Sequence, residues 1–243
     1  MKKICMCLLG ASLMLFNALA AAESEKETLN FRADSHKVIV TAEAISRNEY
    51  GETMFDIRVT MDGEQTQTIN FTSENSNEGE QEVYPCDVNM DGYTDLALLN
   101  SMGASDGFAA YYVYEPAAGE FVYYPELDRL SFYRAQFYPE KRYVLNYLHD
   151  GAATGIWELY QWQMNGEFKL LAEASIQFTE DVNSGELVAK AGPAQNGVVR
   201  LNYISEPFAY ENEARWNSEC GKLMEILFDG DDPGEAAERG LTQ

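Results

Sequence analysis

Short β-prone runs broken by tight-turn residues recur along most of this chain, and no long stretch keeps a helical period. Asp62-Gly63 separates the runs 53–61 and 66–71, and Asn165-Gly166 separates 157–163 from 168–172. Both dipeptides tolerate the left-handed backbone that a two-residue hairpin demands. Pro116 to Gly119 links 111–114 to 121–124 in the same way. Further runs at 38–44, 96–99, 143–148 and 198–204 complete the pattern. The expectation is an all-β chain of antiparallel hairpins, with one helix over 211–227 near the end. A weak repeat sharpens it. Tyr112, Tyr114, Gly119, Glu120 and Phe121 are echoed by Tyr160, Trp162, Gly166, Glu167 and Phe168. The two Phe residues are 47 positions apart, the period of a propeller blade.

The ends read differently. Lys2 and Lys3 precede an apolar run that closes on Ala18, Ala20, Ala21 and Ala22, the layout of a cleaved export signal over 1–22. It is short for a bilayer span, and no other stretch is long and apolar enough. The expected address is periplasmic or secreted. Residues 23–228 read as a single β-rich domain, and the acidic 229–243, with Pro233 and Gly234, as a disordered tail. Two of the four cysteines, Cys5 and Cys7, leave with the signal. Export makes a disulfide between Cys86 and Cys220 the expectation, with two free buried thiols as the alternative.

The formal charge of −23 includes Lys2 and Lys3, so the exported chain is more acidic still. Nucleic acid and anionic membrane surfaces are repelled by such a chain, whereas a basic protein is steered toward it.

The segment 87–95 carries the clearest chemistry. Asp87, Asn89, Asp91 and Asp95 stand at loop positions 1, 3, 5 and 9, and Gly92 at position 6. Alternate residues of a curled loop can aim their oxygens at one hard cation, with the carbonyl of Tyr93 as a further donor. Position 12 is Leu98, where an EF-hand places a bidentate Glu, and the following Leu-Ala-Leu-Leu reads as a buried strand. The reading is a Ca²⁺ loop between strands; the alternative is an ordinary turn rich in Asp and Asn.

Other chemistry is thin. His36 and His149 are the only histidines, and no Gly-x-Ser-x-Gly elbow accompanies them. No catalytic set is assigned, and His149-Asp150 reads as a turn pair. Trp157, Trp162 and Trp216 could stack on sugars but read first as packing residues.

The loop 87–95, the aromatic hairpin over 112–121, and the run from Phe137 through Gly151 and Gly155 to Asn165-Gly166 together resemble a bacterial family of exported proteins. That family carries a degenerate integrin-like (FG-GAP) calcium repeat. The resemblance covers about 83–173. It implies a degenerate β-propeller-like fold with an EF-hand-like loop, and Ca²⁺ on Asp87, Asn89, Asp91, Tyr93 and Asp95. One member of the family is an immunity protein against a peptidoglycan hydrolase delivered by a type IV secretion system. For this chain the implied function is inhibition of a basic, lysozyme-like cell-wall hydrolase or toxin by protein–protein binding. Two loops are candidate contact segments: 100–107, with Asn100, Ser101, Ser105 and Asp106, and 149–155, with His149 and Asp150. A calcium-stabilised carbohydrate-binding or adhesive module is the alternative, and an uncharacterised hydrolase another.

Overall fold

The computed structural model describes residues 26–33, 35–74, 82–102, 106–151, 154–178, 184–191, 201–209 and 212–228. The expected signal over 1–22 and the tail over 229–243 lie outside these residues.

The described chain is mostly β, in three antiparallel sheets and one helix. The first sheet is a meander of β1 (Lys26–Ala33), β2 (His36–Arg47), β3 (Thr53–Met61) and β4 (Glu64–Ser73). The second is a meander of β5 (Val83–Cys86), β6 (Asp95–Met102), β7 (Gly107–Glu115) and β8 (Glu120–Tyr123). The third contains β9 (Gln136–Tyr138), β10 (Tyr143–Gly151), β11 (Thr154–Trp162), β12 (Phe168–Phe178), β13 (Ser184–Ala191) and β14 (Leu201–Ile204), with β15 (Phe208–Ala209) also paired to β13. The helix α1 (Glu213–Phe228) follows.

Alternation of side chains sets the layers. In β3, Phe55, Ile57 and Val59 point into a core that also takes Leu96 and Leu98 of β6 and Tyr114 of β7. The intervening residues Ala97 and Leu99 point the other way, into a core with Val144, Tyr160 and Trp162 of the third sheet. The middle sheet is therefore covered on both faces, which is why β6 opens on the unbroken apolar run Leu96-Ala-Leu-Leu99. The third sheet in turn packs its far face, through Leu159, Ile176 and Leu187, on Leu223, Leu227 and Phe228 of α1. The order is sheet, sheet, sheet, helix. Each large apolar side chain buried here contributes about 1.5–3 kcal/mol.

The repeat seen in the sequence is a repeat of structure. Tyr114 pairs with Phe121 across β7–β8, and Trp162 with Phe168 across β11–β12. Their rings pack at 5.3 and 4.9 Å. The sheets do not close into a propeller ring among the described residues.

One expectation is corrected. Cys86 and Cys220 are free thiols. Cys86 is buried in the core between the second and third sheets, whereas Cys220 rides on α1, which packs on the opposite face of the third sheet. Burial, with the charges of Asp95 and Asp87 beside it, pushes the Cys86 thiol well above the usual range and leaves it a poor nucleophile.

Candidate functional site: an acidic hairpin loop and an end of hairpin tips

Residues 87–94 form the turn of the β5–β6 hairpin, closed by the pair Cys86 and Asp95. The loop curls as the sequence reading requires, with Gly92 at φ 89° and Met90 at φ 56°. A non-glycine residue in that left-handed region is uncommon, and its backbone is held by the side chains around it. Asp87 accepts from the N–H groups of Asp91 (3.1 Å) and Gly92 (3.0 Å). Asn89 Oδ1 also accepts from Asp91 N–H, and Asp91 Oδ1 from Tyr93 N–H. Asn89 Nδ2 donates to Asp91 Oδ2 at 2.7 Å.

All three sheets grip this loop. Trp162 Nε1 donates to the carbonyl of Val88, Arg142 to that of Asn89, and Thr94 Oγ1 to that of Arg32. Trp162 is thus a packing residue with its indole N–H satisfied, as the sequence reading favours. Trp216 packs on Phe208, and Trp157 on Tyr147.

Asp95 behaves differently from its loop partners. It is fully buried, and its carboxylate accepts from Val88 N–H (2.9 Å) and Tyr114 N–H (2.8 Å). It staples the start of the loop to β7. Burial outweighs those two bonds and, with Asp91 and Asp87 nearby, raises its pKa to about 8. Burial also raises Asp87, and the charge of Asp91 adds to it. Among the described residues no group of three or more His, Cys, Asp or Glu side chains converges as a metal-holding set. The physical reason is visible in the bonds: these oxygens are turned toward their own backbone N–H groups. Each carboxylate oxygen keeps a second lone pair, so the donor chemistry suits a hard cation.

The candidate contact loops lie at the other end of β6. That strand has eight residues, a rise of roughly 23 Å, so the acidic loop and the 100–107 segment are far apart. Ser105 is outside the described residues. Asp106 is described, and it joins the two candidate segments. It accepts from the main-chain N–H of His149 (3.1 Å) and from Ser131 Oγ, and Arg134 pairs with it at 3.2 Å. Arg134 also lies over the Tyr147 ring, 5.1 Å from its centroid. Tyr147 in turn packs over Gly155, where an added Cβ would come within 2.6 Å of the ring. His149 and Asp150 sit on β10 rather than in a turn, and the side chain of Asp150 is outside the description.

Asn100 connects this end to the first sheet. Its carbonyl accepts from Glu74 N–H (2.7 Å) and Ser73 Oγ (3.2 Å), and Ser73 pairs with Thr53, the first strand residue after the β2–β3 turn. Ser101 follows on β6, paired with Phe108. The tips of β2–β3, β6–β7 and β10–β11 therefore gather at one end of the molecule. The β2–β3 tip has no place in the sequence reading. A tyrosine inside the turn Asn48-Glu49-Tyr50-Gly51 was the available signal.

His36, the other histidine, binds Asp62 through Nδ1 at 2.7 Å on an exposed turn of the first sheet. A buried polar cluster on the third sheet is also complete: Glu158 is paired with Arg129 and accepts from Asn146, and Asn146 Oδ1 accepts from Ser131 N–H.

No protein-family model matches the chain, and neither a curated protein nor a solved structure shows significant similarity to it.

Proposed function

We propose that this chain is an exported calcium-binding protein that inhibits, or gives immunity to, a basic lysozyme-like peptidoglycan hydrolase by binding it. The observation that carries the reading is the built hairpin end, where Asp106 ties the two candidate contact segments together. A rigid surface on an acidic scaffold is what a competitive protein inhibitor needs: little ordering cost on binding, and fast steering toward a cationic enzyme.

In this reading Ca²⁺ is structural. Asp87, Asn89 and Asp91, with the carbonyl of Tyr93, supply the oxygens, and Asp95 holds the loop to β7 and adds its charge. The ion would neutralise carboxylates whose pKa values are raised by burial and mutual repulsion. Three successive meanders stacked face to face, with like aromatic hairpins, support reading the sheets as blades of an open, degenerate propeller.

The test is a panel of c-type, g-type, i-type and phage lysozymes and any hydrolase encoded beside this gene, each assayed for lysis with and without the protein. Inhibition with a stoichiometric complex is expected. The absence of both across the panel removes the reading. Pull-down on insoluble peptidoglycan without hydrolase addresses the carbohydrate-binding alternative: retention on the glycan favours that module over an inhibitor.

A further inference from the structure

Three large apolar side chains stand exposed on one short segment: Ile45 (53%), Tyr50 (81%) and Met54 (43%) all belong to the β2–β3 hairpin. Several devices keep them outside. The β2–β3 register slips between Ala44 and Ser46, which makes Ile45 an extra residue in a bulge. Bulges re-aim side chains and break regular pairing. Met54 precedes the buried Phe55 and so takes the outer face of the sheet. The turn itself is built around one side chain. Asn48 Oδ1 accepts from Tyr50 N–H (2.9 Å) and Glu52 N–H (3.0 Å), while Asn48 N–H donates to the Glu52 carbonyl. Gly51, at φ 90°, supplies the left-handed step the turn needs. Tyr50 is thus presented by a fixed loop rather than left on a slack one.

We infer that the β2–β3 hairpin tip is the apolar anchor of the docking face, and that its occupant is an apolar socket on a basic protein. Charge complementarity selects that occupant. Glu49, Glu52 and Glu74 are exposed near the apolar residues and outnumber the exposed cation of the tip, Arg47, on a chain of formal charge −23. A lipid surface offers no comparable basic rim, and a second copy of this chain would bring like charge to like. The tip adjoins the segment around Asp106 through the Thr53–Ser73 pair and the Asn100 carbonyl. A tyrosine on a preorganised turn has the character of interface residues that dominate affinity. The inference rests on the inhibition reading and names the surface that performs it.

The experiment uses the full exported chain and every panel hydrolase that it binds. Tyr50→Ala and the double variant Ile45→Asp with Met54→Asp are compared with Met164→Asp. Met164 is 91% exposed on the β11–β12 tip at the opposite end, where Arg142 reaches both it and Asn89. All three variants change exposed side chains, and unchanged melting temperatures will show that they fold. The expected result is a dissociation constant about thirtyfold higher or more for the two tip variants, as for a dominant interface residue. Met164→Asp should stay within about twofold of the unmutated protein, as a residue outside the interface does. Undiminished binding by Tyr50→Ala overturns the hairpin anchor and leaves the inhibition reading standing. Failure of the unmutated protein to bind any hydrolase overturns both. Sedimentation of the protein alone, and flotation with phosphatidylcholine vesicles, should show a monomer that ignores lipid. A dimer or vesicle complex that Tyr50→Ala dissolves overturns the proposed occupant.

Discussion

The two ends of this molecule use their side chains in opposite ways. At the acidic-loop end, polar groups bond back to their own chain: the half-buried Asp87 and Asn89, the exposed Asp91 and the buried Asp95 accept from nearby backbone N–H groups, and Val88, which anchors two of the surrounding contacts, is fully buried. At the hairpin end, apolar groups turn outward, with Ile45, Tyr50 and Met54 in solvent on a braced turn. Side-chain oxygens that accept from neighbouring backbone N–H groups fix a local structure. Large apolar groups held in water by a stiff scaffold are available for another surface. On the proposed reading, one end serves stability and the other recognition, and each assignment can be broken separately.

The largest stability effect is expected from Asp95→Ala. It strands the N–H groups of Val88 and Tyr114 in the interior, at about 1–3 kcal/mol each. Urea unfolding should show a loss of about 3 kcal/mol or more, consistent with those two groups. The same carboxylate gives a pH dependence. Its pKa is about 8 when folded and is raised from 3.8, so the folded state holds the proton more tightly than the unfolded chain. The contribution of Asp95 is therefore fully present below its unfolded pKa and is lost as pH rises through about 8. In chelator, the melting temperature should fall as pH rises between the unfolded Asp95 pKa of 3.8 and its folded value of about 8, and Asp87, also raised by burial, pulls in the same direction. Ca²⁺ should flatten or reverse that slope, because a cation favours the ionised carboxylates.

Calcium itself comes next. At tenfold excess over a weak extracellular-type dissociation constant, ligand linkage stabilises by about 1.4 kcal/mol. Calorimetry should show an upward shift with CaCl₂ that EGTA reverses and that Asp87→Ala with Asp91→Ala abolishes. An unmutated protein indifferent to chelator would remove calcium from the account. Asn48→Ala should be milder, about 1 kcal/mol, the worth of a side chain that satisfies turn N–H groups. It should weaken hydrolase binding by more than that, because the freed turn must be reordered on docking. Smallest of all, Tyr50→Ala should leave stability within about 0.5 kcal/mol, as for surface substitutions generally.

Much of the acidic-loop end was legible in the sequence, because local chemistry fixes it. The strand at Thr53–Met61, the turn at Asp62-Gly63, the hairpin around Asn165-Gly166 and the placement of 87–95 between strands all follow from short-range signals. The helix lies over Glu213–Phe228, close to the expected 211–227. Long-range partners decided the rest. Strand β1 was missed because its residues are exposed and intermediate by turns, so that pairing with β2 rather than its own hydrophobicity holds it. The bond from Asp95 to Tyr114 N–H, nineteen residues further on, has no signal in the loop itself. The separation of the cysteines, Cys86 in a core and Cys220 half-buried on α1, and a bulge that turns Ile45 outward, likewise have no local signature.

Hydrogen–deuterium exchange on the full chain, measured with Ca²⁺, with EGTA, and with Ca²⁺ plus a bound panel hydrolase, tests the division between the ends most directly. The account predicts two separate footprints. Calcium should protect amides over 87–95, and the hydrolase should protect those over 45–54 and around 100 and 106–107. A hydrolase footprint on the acidic loop, or calcium protection confined to the hairpin tips, would contradict it.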